Sequence, residues 1–416
     1  MAIGLMVPDV ALAYAEPLVR VPFVGRTWTT GTSIWVGTSE SFGDAAGETL
    51  TLRVREASAC ETCWVATVQM EDSGTGSGFR SWKGSVDGLT PNTRYHYGIF
   101  ASGSTSERGG FYFRTEPAGR ARFKVGVASC MNGGSAPSQP SWDIMHEQLN
   151  TGEPNIQLLV GDNMYTSENP PSKDHYWFKY FQQRNVQQFA TVFRAFPTFA
   201  VWDDHDYGPN DEDGTFAQKA VARDAYAALY PHPPFAGAGI NHKFNWGGVE
   251  FFMMDDRWGR DCPKNPPAGH TPQMYGATQF GWLKTELKAS AAIFKVIVNG
   301  STLGNNCWGA QRQALFNYIA DNKIGGVLFV TGDIHRSLIT DRTPAGGYPL
   351  YELISSGIGS PSTPAEYSFG IMEFNTTLAD PTVTLKVIQN PQQRSSISGA
   401  GVTVSTKVLR RSQLKN

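Results

Sequence analysis

The sequence predicts an all-β unit followed by an α/β unit. Its 416 residues are enough for two or three domains of about 100–200 residues each. Residues 18–115 contain short runs rich in β-branched and aromatic residues with turn signals between them, which is typical of half-buried strands. From residue 121 onward, short apolar runs alternate with helical stretches, which indicates an α/β layer architecture.

The composition predicts a folded, loop-rich protein of nearly balanced charge. Lys plus Arg total 35 and Asp plus Glu total 37, so the formal net charge is −2. This balance argues against a nucleic-acid groove or a basic membrane-binding face as the main function, and we expect no stable nucleic-acid partner. The oligomeric state stays open, with a monomer as the simplest expectation.

Residues 1–17 are predicted to be either a lead-in or the remnant of a signal peptide. The first fifteen, MAIGLMVPDVALAYA, are mildly apolar and end in an Ala-rich run that resembles a cleavage site. They carry no positive charge and contain Pro8 and Asp9, which argues against an intact signal peptide. No apolar stretch reaches the roughly 18 residues that span a bilayer, so no membrane span is predicted.

Segment 18–115 is predicted to be a fibronectin type III-like β-sandwich. Its strand candidates are 32–37, 49–55, 63–70, 94–101 and 111–114. The run LTPNTRYHY, from Leu89 to Tyr97, is typical of the corner at which a Tyr near a strand start closes back on the preceding loop. Nothing in this segment has a catalytic character, so packing and shielding are its expected roles.

After a linker at 116–120, segment 121–416 is predicted to be the α/β unit. Buried-strand candidates are 123–128, 156–160, 198–202, 251–255, 294–299 and 326–331. Helix candidates are 142–149, 174–193, 216–229, 279–289 and 311–319. The tail returns to strands at 350–355, 370–375 and 382–388.

Four polar clusters follow four of these apolar strands. They are Ser129-Cys130-Met131-Asn132, Gly161-Asp162-Asn163-Met164-Tyr165, Trp202-Asp203-Asp204-His205-Asp206-Tyr207 and Gly332-Asp333-Ile334-His335. Open α/β sheets bind ligands outside the carboxyl ends of their strands, so we expect the four clusters to converge on one crevice.

The residue types in the clusters suggest two unlike metals. Cys130, Tyr165 and His335 offer a thiolate, a phenolate and an imidazole, a mixed set that suits a transition metal, particularly ferric iron. Asp204 and Asp333 offer only oxygen, which suits a hard cation such as calcium or magnesium. Asp162 stands between the two sets and is a candidate bridge.

These motifs resemble those of the PhoD-type alkaline phosphatases in the calcineurin-like metallophosphoesterase superfamily. The stretch 161–165 is similar to the superfamily's bridging-Asp motif, with the iron-binding Tyr found also in purple acid phosphatases. The stretches 203–206, 332–335 and 129–130 stand where the superfamily has Gly-Asn-His-Asp/Glu, Gly-His-x-His and the initial Asp-x-His. The resemblance implies a calcineurin-like α/β/β/α domain that pairs Fe(III) with Ca(II), with Mg, Mn or Zn as alternatives for the second metal.

Two further stretches are similar to that family. Residues 254–260, MDDRWGR, resemble its Leu-Asp-x-Arg-x-x-Arg segment, and residues 274–283 resemble the helix start that follows. The superfamily's middle histidine ligand has no counterpart in 296–302, which is consistent with a hard second metal completed by water. Additional ligand candidates are Asn132, Asn163 and Asn210.

The ligand set and the resemblance together predict a dinuclear-metal phosphoesterase that hydrolyses phosphomonoesters or phosphodiesters by metal-activated water. His205 is the predicted general acid, with Asp206 orienting its ring. Arg257 is predicted to clamp a phosphoryl oxygen, with a surface ion pair as the alternative. Alternatives for the whole chain are a purple acid phosphatase-like enzyme and an inactive phosphatase-like binding protein.

The cysteine count bears on the compartment. If Cys130 binds a metal, four of the five cysteines remain. Cys60 with Cys63 and Cys262 with Cys307 are the candidate bridges, which would be consistent with a periplasmic or secreted protein. Four inert thiols in a reducing compartment are the alternative.

Overall fold

The computed structural model describes residues 16–391, 393 and 401–415. The predicted lead-in therefore lies outside the described residues, except for Glu16 and Pro17. The N-terminal part forms two four-stranded antiparallel sheets, ordered β1-β2-β6-β5 and β4-β3-β7-β8. The strands are β1 (Leu18–Trp28), β2 (Gly31–Ser39), β3 (Leu50–Glu56), β4 (Ala66–Gln69), β5 (Glu71–Gly76), β6 (Phe79–Val86), β7 (Arg94–Ala101) and β8 (Gly109–Arg114).

Alternating sequence explains how these two sheets share a core. In β3 the residues Leu50, Leu52 and Val54 are fully buried, whereas the residues between them are partly exposed. They join one apolar cluster with residues of both sheets, including Ile34 and Trp82. The Tyr95 hydroxyl accepts a hydrogen bond from the Thr90 backbone N–H at 2.8 Å, so the predicted tyrosine corner is present. The wider likeness to fibronectin stays a prediction.

The rest of the chain alternates strands with helices, as the sequence predicts. The elements are β9 (Arg122–Ala128), α1 (Ser141–Leu149), β10 (Ile156–Val160), α2 (Lys173–Arg184), α3 (Gln187–Phe193), β11 (Thr198–Val201), α4 (Asp204–Tyr207), α5 (Lys219–Leu229), β12 (His242–Trp246), β13 (Val249–Met253), α6 (Ala277–Ala289), β14 (Phe294–Val298), α7 (Gly309–Asp321), β15 (Val327–Thr331), β16 (Leu338–Asp341), β17 (Tyr351–Ile354), β18 (Ser368–Asn375), β19 (Thr382–Gln389) and β20 (Val402–Arg410).

These strands form two six-stranded mixed sheets, ordered β11-β10-β9-β18-β19-β20 and β12-β13-β14-β15-β17-β16. Strands β9, β10 and β11 run parallel, as do β13, β14, β15 and β17. Their inner faces pack together, because Phe374 of the first sheet contacts Phe251 and Phe294 of the second, with ring centroids 6.3 and 5.6 Å away. The parallel strands of each sheet therefore end in groups, which brings their polar clusters together.

Helices cover the outer faces of both sheets, which gives an α/β/β/α layering. Helix α1 packs so closely on β9 that a Cβ on Gly126 would lie 2.9 Å from the Met145 sulfur. Helices α6 and α7 bury Leu283 and Leu315 in a second cluster against Ile297 of β14.

The predicted helix over 174–193 is wrong in one respect, because the structure divides it into α2 and α3. Val186 is extended (φ −68°, ψ 112°), which ends the first helix and redirects the second. The break lets Tyr180 of α2 and Phe193 of α3 both pack on the core that also includes Trp35 of the sandwich. Within the described residues, none of the helices is long and apolar enough to cross a membrane.

Candidate metal centre and active site

The four predicted clusters meet where glycines let neighbouring strand ends approach closely. A Cβ on Gly161 would lie 2.5 Å from the Asp203 Cβ, and one on Gly332 would lie 2.5 Å from the Ser129 hydroxyl oxygen. Only glycine fits such contacts without displacing its neighbours, and Gly161 also has a positive φ of 87°. The residues that follow these glycines therefore lie side by side at the ends of β9, β10, β11 and β15.

Cys130, Asp162, Tyr165 and His335 form one continuous contact network. The Cys130 sulfur lies 3.4 Å from Asp162 Oδ2, and the Tyr165 hydroxyl donates to the same oxygen at 3.0 Å. The Tyr165 hydroxyl oxygen also lies 3.2 Å from His335 Nε2. A thiol, a carboxylate, a phenol and an imidazole are thus within bonding range of one another, and this is the mixed donor set that suits a transition metal.

Asp162 belongs to both halves of the site. One ligand atom each from Cys130, Asp162 and His335 lie within 4.8 Å of one another, and so do atoms from Asp162, Asp204 and His205. Asp162 is 2% exposed, and its Oδ1 atom has no hydrogen-bond partner among the described residues. Burial, followed by repulsion from Cys130 and Asp204, raises the pKa of Asp162 well above its usual range.

This crowding is the physical test of whether cations fit the site. Buried carboxylates that face one another without donors are unfavourable unless they are protonated or bound by a cation. The orphaned Asp162 oxygen, the adjacent thiol and the neighbouring Asp204 form such a group. The residues present therefore fit a pair of cations that share Asp162.

Asp204 is held ionised by its neighbours. Its Oδ2 accepts the Asp211 backbone N–H at 2.9 Å, and Arg257 Nη2 lies 3.9 Å from Oδ1. Burial opposes the charge, but Arg257 and then His205 outweigh it and hold the pKa of Asp204 at about 2. A carboxylate with a low pKa is available to a metal at any ordinary pH.

Asp333 lies beside this pair and lines an adjoining cavity. The cavity has a volume of about 620 Å³, and Asp211 and Arg260 are among its other walls. Burial, followed by repulsion from Asp204, raises the pKa of Asp333 to about 6. Asp333 is not a member of either close ligand group, so its place is at the rim of the centre.

His205 stacks on Tyr165, with ring centroids 4.2 Å apart. Burial lowers the pKa of His205 despite the opposing effect of Asp204. Because its ring lies in the group with Asp162 and Asp204, its position is compatible with proton transfer and with metal ligation alike.

Asp206 does not contact the His205 ring, so the prediction that it orients this ring is not met. Its carboxylate is fully buried and accepts hydrogen bonds from the backbone N–H groups of Asn163 and Asp203 and from the Tyr180 hydroxyl, each at 3.1 Å. The reason is local: Asp206 is the third residue of the short helix α4 and closes a capping box with Asp203. Asp206 therefore fixes the loop that carries Asn163.

Arg257 also differs from its predicted role. Its guanidinium is 1% exposed, its Nε donates to Asp203 Oδ1 at 2.7 Å, and its Nη2 donates to the Ser301 hydroxyl at 3.1 Å. Nη1 donates to the Glu212 carbonyl at 3.1 Å. Every terminal nitrogen is thus engaged inside the protein, and Arg257 holds the strand ends together beneath the site.

Ser356 and Ser301 were not among the predicted site residues, and Asp203 was predicted only as a member of the third polar cluster. The Ser356 hydroxyl lies 2.9 Å from the Cys130 sulfur and accepts the His335 backbone N–H at 2.7 Å, so it links two predicted ligands. Asp203 and Ser301 complete the network around Arg257. Their position directly after strand ends, as in Ser355-Ser356-Gly357 after β17, is the signal that would have found them.

The three asparagine candidates have other partners. Asn132 Oδ1 accepts the Ser135 N–H at 3.3 Å, and Asn210 donates to Asp211 at 2.6 Å. Asn163 donates to the Val201 carbonyl at 2.8 Å, while its own Oδ1 is buried without a hydrogen-bond partner among the described residues. Of the three, Asn163 alone keeps a free buried acceptor.

Four of the six predicted ligands have a left-handed backbone. The φ angles are 58° for Cys130, 51° for Asp162, 78° for Asp333 and 57° for His335. Such angles are uncommon for residues other than glycine and cluster at functional sites.

The cysteines follow the predicted pattern: Cys60 is bonded to Cys63 and Cys262 to Cys307, while Cys130 is a free buried thiol.

Two solved structures share this architecture. The structure of PhoD matches with a TM-score of 0.70 and 17% identity, covering 94% of this chain and 93% of that one. A purple acid phosphatase from yellow lupin (Lupinus luteus) seeds matches with a TM-score of 0.63 and 11% identity, covering 94% and 75% of the two chains. The chain therefore shares the mixed α/β fold of these two proteins.

Sequence comparison narrows the class to a family. Residues 125–406 match the family model described as PhoD-like phosphatase, which covers more than half of the chain, so the chain belongs to that family. Alkaline phosphatase D of Bacillus subtilis (strain 168) is 24% identical over 313 residues, or 61% of this chain and 52% of the relative. The chain spans about half the length of this curated relative.

Proposed function

We propose that the chain is a dinuclear-metal phosphoesterase that hydrolyses phosphomonoesters or phosphodiesters. The observation that carries the proposal is the shared position of Asp162, which belongs to a thiol-containing and a carboxylate-containing group at once. Membership of the PhoD-like phosphatase family supports it. We further propose 18–115 and 121–416 as the bounds of the sandwich and of the catalytic domain.

In this proposal Cys130, Asp162, Tyr165 and His335 hold Fe(III). Asp162, Asp204 and Asp333 hold Ca(II), or another hard cation in its place. Bound cations at such a centre neutralise phosphoryl oxygens and lower the pKa of water, so that a nucleophile is available at ordinary pH.

The chain's own residues supply the remaining functions. His205, whose ring lies in one group with Asp162 and Asp204, gives a proton to the leaving oxygen. Arg257 and Asp203 act as positioning residues. Their buried ion pair, together with the hydrogen bond from the Ser301 hydroxyl to Asp203, fixes the loops after β11 and β14 relative to each other. Ser356 fixes the orientation of Cys130 and His335 through its two hydrogen bonds.

The purple acid phosphatase alternative shares the fold but not the donor set. Its initial Asp-x-His is replaced here by Ser129-Cys130. Its middle His has no counterpart in 296–302, where Asn299 donates to the Ser301 carbonyl at 2.6 Å. An inactive binding protein is disfavoured because the donor atoms of Cys130, Asp162 and His335 remain within 4.8 Å of one another. The two disulfides support a periplasmic or secreted location, since such bonds persist in oxidising compartments.

Elemental analysis combined with a substrate panel tests the proposal. We expect one iron and at least one calcium per chain, together with hydrolysis of alkyl phosphates, nitrophenyl phosphate or their diesters. Cys130→Ala should lose iron and keep calcium, because it removes a soft ligand from one half only. Tyr165→Phe should bleach the visible absorption of a phenolate bound to ferric iron.

Each result has a clear contrary outcome. Protein that contains zinc alone would overturn the metal assignment. A colourless, iron-loaded wild-type protein would remove Tyr165 from the ligand set. Metal-loaded protein that hydrolyses none of the panel would favour the binding-protein alternative.

A further inference from the structure

The cavity beside the proposed metal centre carries positive charge that the proposed function does not use. It has a volume of about 620 Å³ and begins at Asp333 and Asp211. Its wall continues through Arg260, Lys264 and Asn306, and the disulfide between Cys262 and Cys307 forms part of it. A substrate bound at the metal centre therefore has room to extend along this wall.

Arg260 is the feature of the wall that most needs a ligand. It is 3% exposed, and its contacts are Nη1 with the Ser301 hydroxyl at 3.4 Å, Nη2 with Asn305 Oδ1 at 3.4 Å, and Nη2 with the Cys307 sulfur at 2.9 Å. Its buried Nε has no hydrogen-bond partner among the described residues. These neutral contacts leave much of the bonding capacity of a five-donor guanidinium unused.

Arg257, three residues earlier, shows how the chain treats a guanidinium that has a structural role. Arg257 makes an ion pair with Asp203, and Asp204 and Asp256 lie 3.9 Å away. In the part of the chain that the structure describes, no carboxylate lies within 4.0 Å of Arg260. Asp256, Asp203 and Asp204 attract Arg260 only from beyond this distance. A buried guanidinium without an acid in direct contact can bind an acid brought by a ligand.

Lys264 adds a second positive charge to the same cavity. It is exposed, lies in the loop after Cys262, and likewise has no carboxylate within 4.0 Å among the described residues. Asn306 and Thr302 supply further polar groups beside the two cations. The cavity wall thus combines a buried guanidinium with an exposed ammonium.

We propose that this cavity binds a second anionic group on the leaving part of the substrate. The preferred substrates are then phosphate esters whose organic portion carries another phosphate or carboxylate. Arg260 recognises that group through its planar donors, and Lys264 attracts it electrostatically. The inference rests on the proposed phosphoesterase function, since it assigns the substrate class of the same site.

Binding of non-hydrolysable phosphonates tests the inference independently of turnover. The probes are straight-chain alkane bisphosphonates with two to six carbons and the alkyl monophosphonates of the same lengths, each titrated by calorimetry into metal-loaded protein of measured metal content. We expect at least one bisphosphonate to bind roughly tenfold or more tightly than its monophosphonate. One charge-assisted hydrogen bond to Arg260 would increase the affinity by about that factor.

Variants then assign the preference to the cavity. Lys264→Ala should lower the ratio of the two affinities about two- to fivefold at low ionic strength, as is usual for an exposed charge. Arg260→Gln should bring the ratio close to one. Lys288→Ala is the matched control, because Lys288 is exposed in the last turn of α6 and outside the cavity lining.

Four outcomes decide between the inference and the function on which it rests. Equal binding of both probes at every chain length would overturn the inference, and so would a preference that survives in both the Lys264 and the Arg260 variants. Hydrolysis of alkyl phosphates without a bisphosphonate preference would leave the proposed function standing and remove the anion subsite. Selective bisphosphonate binding without hydrolysis of any ester would support the anion subsite and contradict the proposed function.

Discussion

This molecule contains two kinds of buried carboxylate. Asp206 and Asp255 are inner carboxylates, and each accepts hydrogen bonds from several donors of the chain, such as the Trp202 indole N–H and the Ile240 N–H for Asp255. Asp162 is a site carboxylate, and one of its oxygens has no partner among the described residues. Burial raises the pKa in both kinds, to about 7 for Asp206.

The two kinds of carboxylate differ in their hydrogen-bond donors and not in the direction of their pKa shift. A raised pKa is common to both kinds, so by itself it does not separate structure from function. A missing donor separates Asp162 from Asp206 and Asp255. Asp203 Oδ2 and Asp256 Oδ1 also lack a hydrogen-bond partner among the described residues, but both carboxylates lie beside the buried Arg257 guanidinium. The same contrast distinguishes Arg257, which has an acid inside the protein, from Arg260, which has none within 4.0 Å in the described chain.

The largest expected effect comes from removing the charge of the shared site carboxylate. Asp162→Asn should lose both metals and lower activity by on the order of 10³-fold or more, since bound cations contribute several kcal/mol to such reactions. The fold should stay intact, because the substitution removes repulsion. Asp255→Asn is the matched inner variant, and it should destabilise the protein while metal content is retained. Thermal unfolding measures the stability of both variants, and elemental analysis measures their metal content. Loss of metal from Asp255→Asn but not from Asp162→Asn would contradict the prediction.

His205 tests whether a residue in the site carboxylate group acts on protons or on metal. His205→Ala should slow hydrolysis of an alkyl phosphate by roughly 10²–10⁴-fold, the usual range for general acid catalysis. Nitrophenyl phosphate should be slowed distinctly less, since its leaving group departs without a proton. Chemistry must be rate-limiting for both substrates, which a burst experiment checks. Loss of metal in the variant would instead make His205 a ligand.

The buried ion pair between Arg257 and Asp203 is expected to stabilise the fold. Arg257→Met should lower the free energy of unfolding by about 3–5 kcal/mol, because it leaves the buried Asp203 carboxylate without its cation. Denaturant unfolding measures the loss. Arg257→Met combined with Asp203→Asn should recover part of it, and a double variant no more stable than the single one would argue against the pair.

Glu116 is a half-buried acid that belongs to neither kind, and it has the smallest expected effect. Burial raises its pKa from 4.5 to about 8, although the Thr29 backbone N–H opposes this. Because the raised value belongs to the folded state, the fold loses stability as the pH rises from about 4.5 through 8. Glu116→Gln should therefore increase the melting temperature more at pH 9 than at pH 5, without changing metal content. An equal increase at both pH values would show that ionisation is not the cause.

The sequence predicts much of this site because strand ends leave a local signature. The clusters around Cys130, Asp162, Asp204 and His335 each follow an apolar run, and parallel strands bring such clusters to one edge. The contact between Cys130 and Ser356 joins residues 226 positions apart, and no local spacing reveals it. Arg257 was predicted to clamp a phosphoryl oxygen and pairs with Asp203 instead. The cause is the same, since the surroundings of an arginine in this loop depend on what distant loops place beside it.

The fold shows the same division between local and long-range information. Buried parallel strands such as β10 and β14 are continuous apolar runs and were predicted within a residue or two. Strands β5 and β20 were missed, because their sequences EDSGTG and VTVSTKVLR have few buried residues and depend on pairing with a neighbour. The break between α2 and α3 was missed because it has neither Gly nor Pro, and tertiary packing fixes it.

The left-handed backbone at Cys130, Asp162, Asp333 and His335 limits how this centre could be re-engineered for another metal. Asp, Asn and His tolerate that conformation better than most residues, whereas Val, Ile and Thr are strongly disfavoured in it. Only a few residue types are therefore usable in a mutant library at these four positions. Those few include Asp, Asn and His, which are common oxygen and nitrogen donors. Glycine would relax the backbone but contribute no donor, so variants selected for stability alone would drift towards an empty, well-folded pocket.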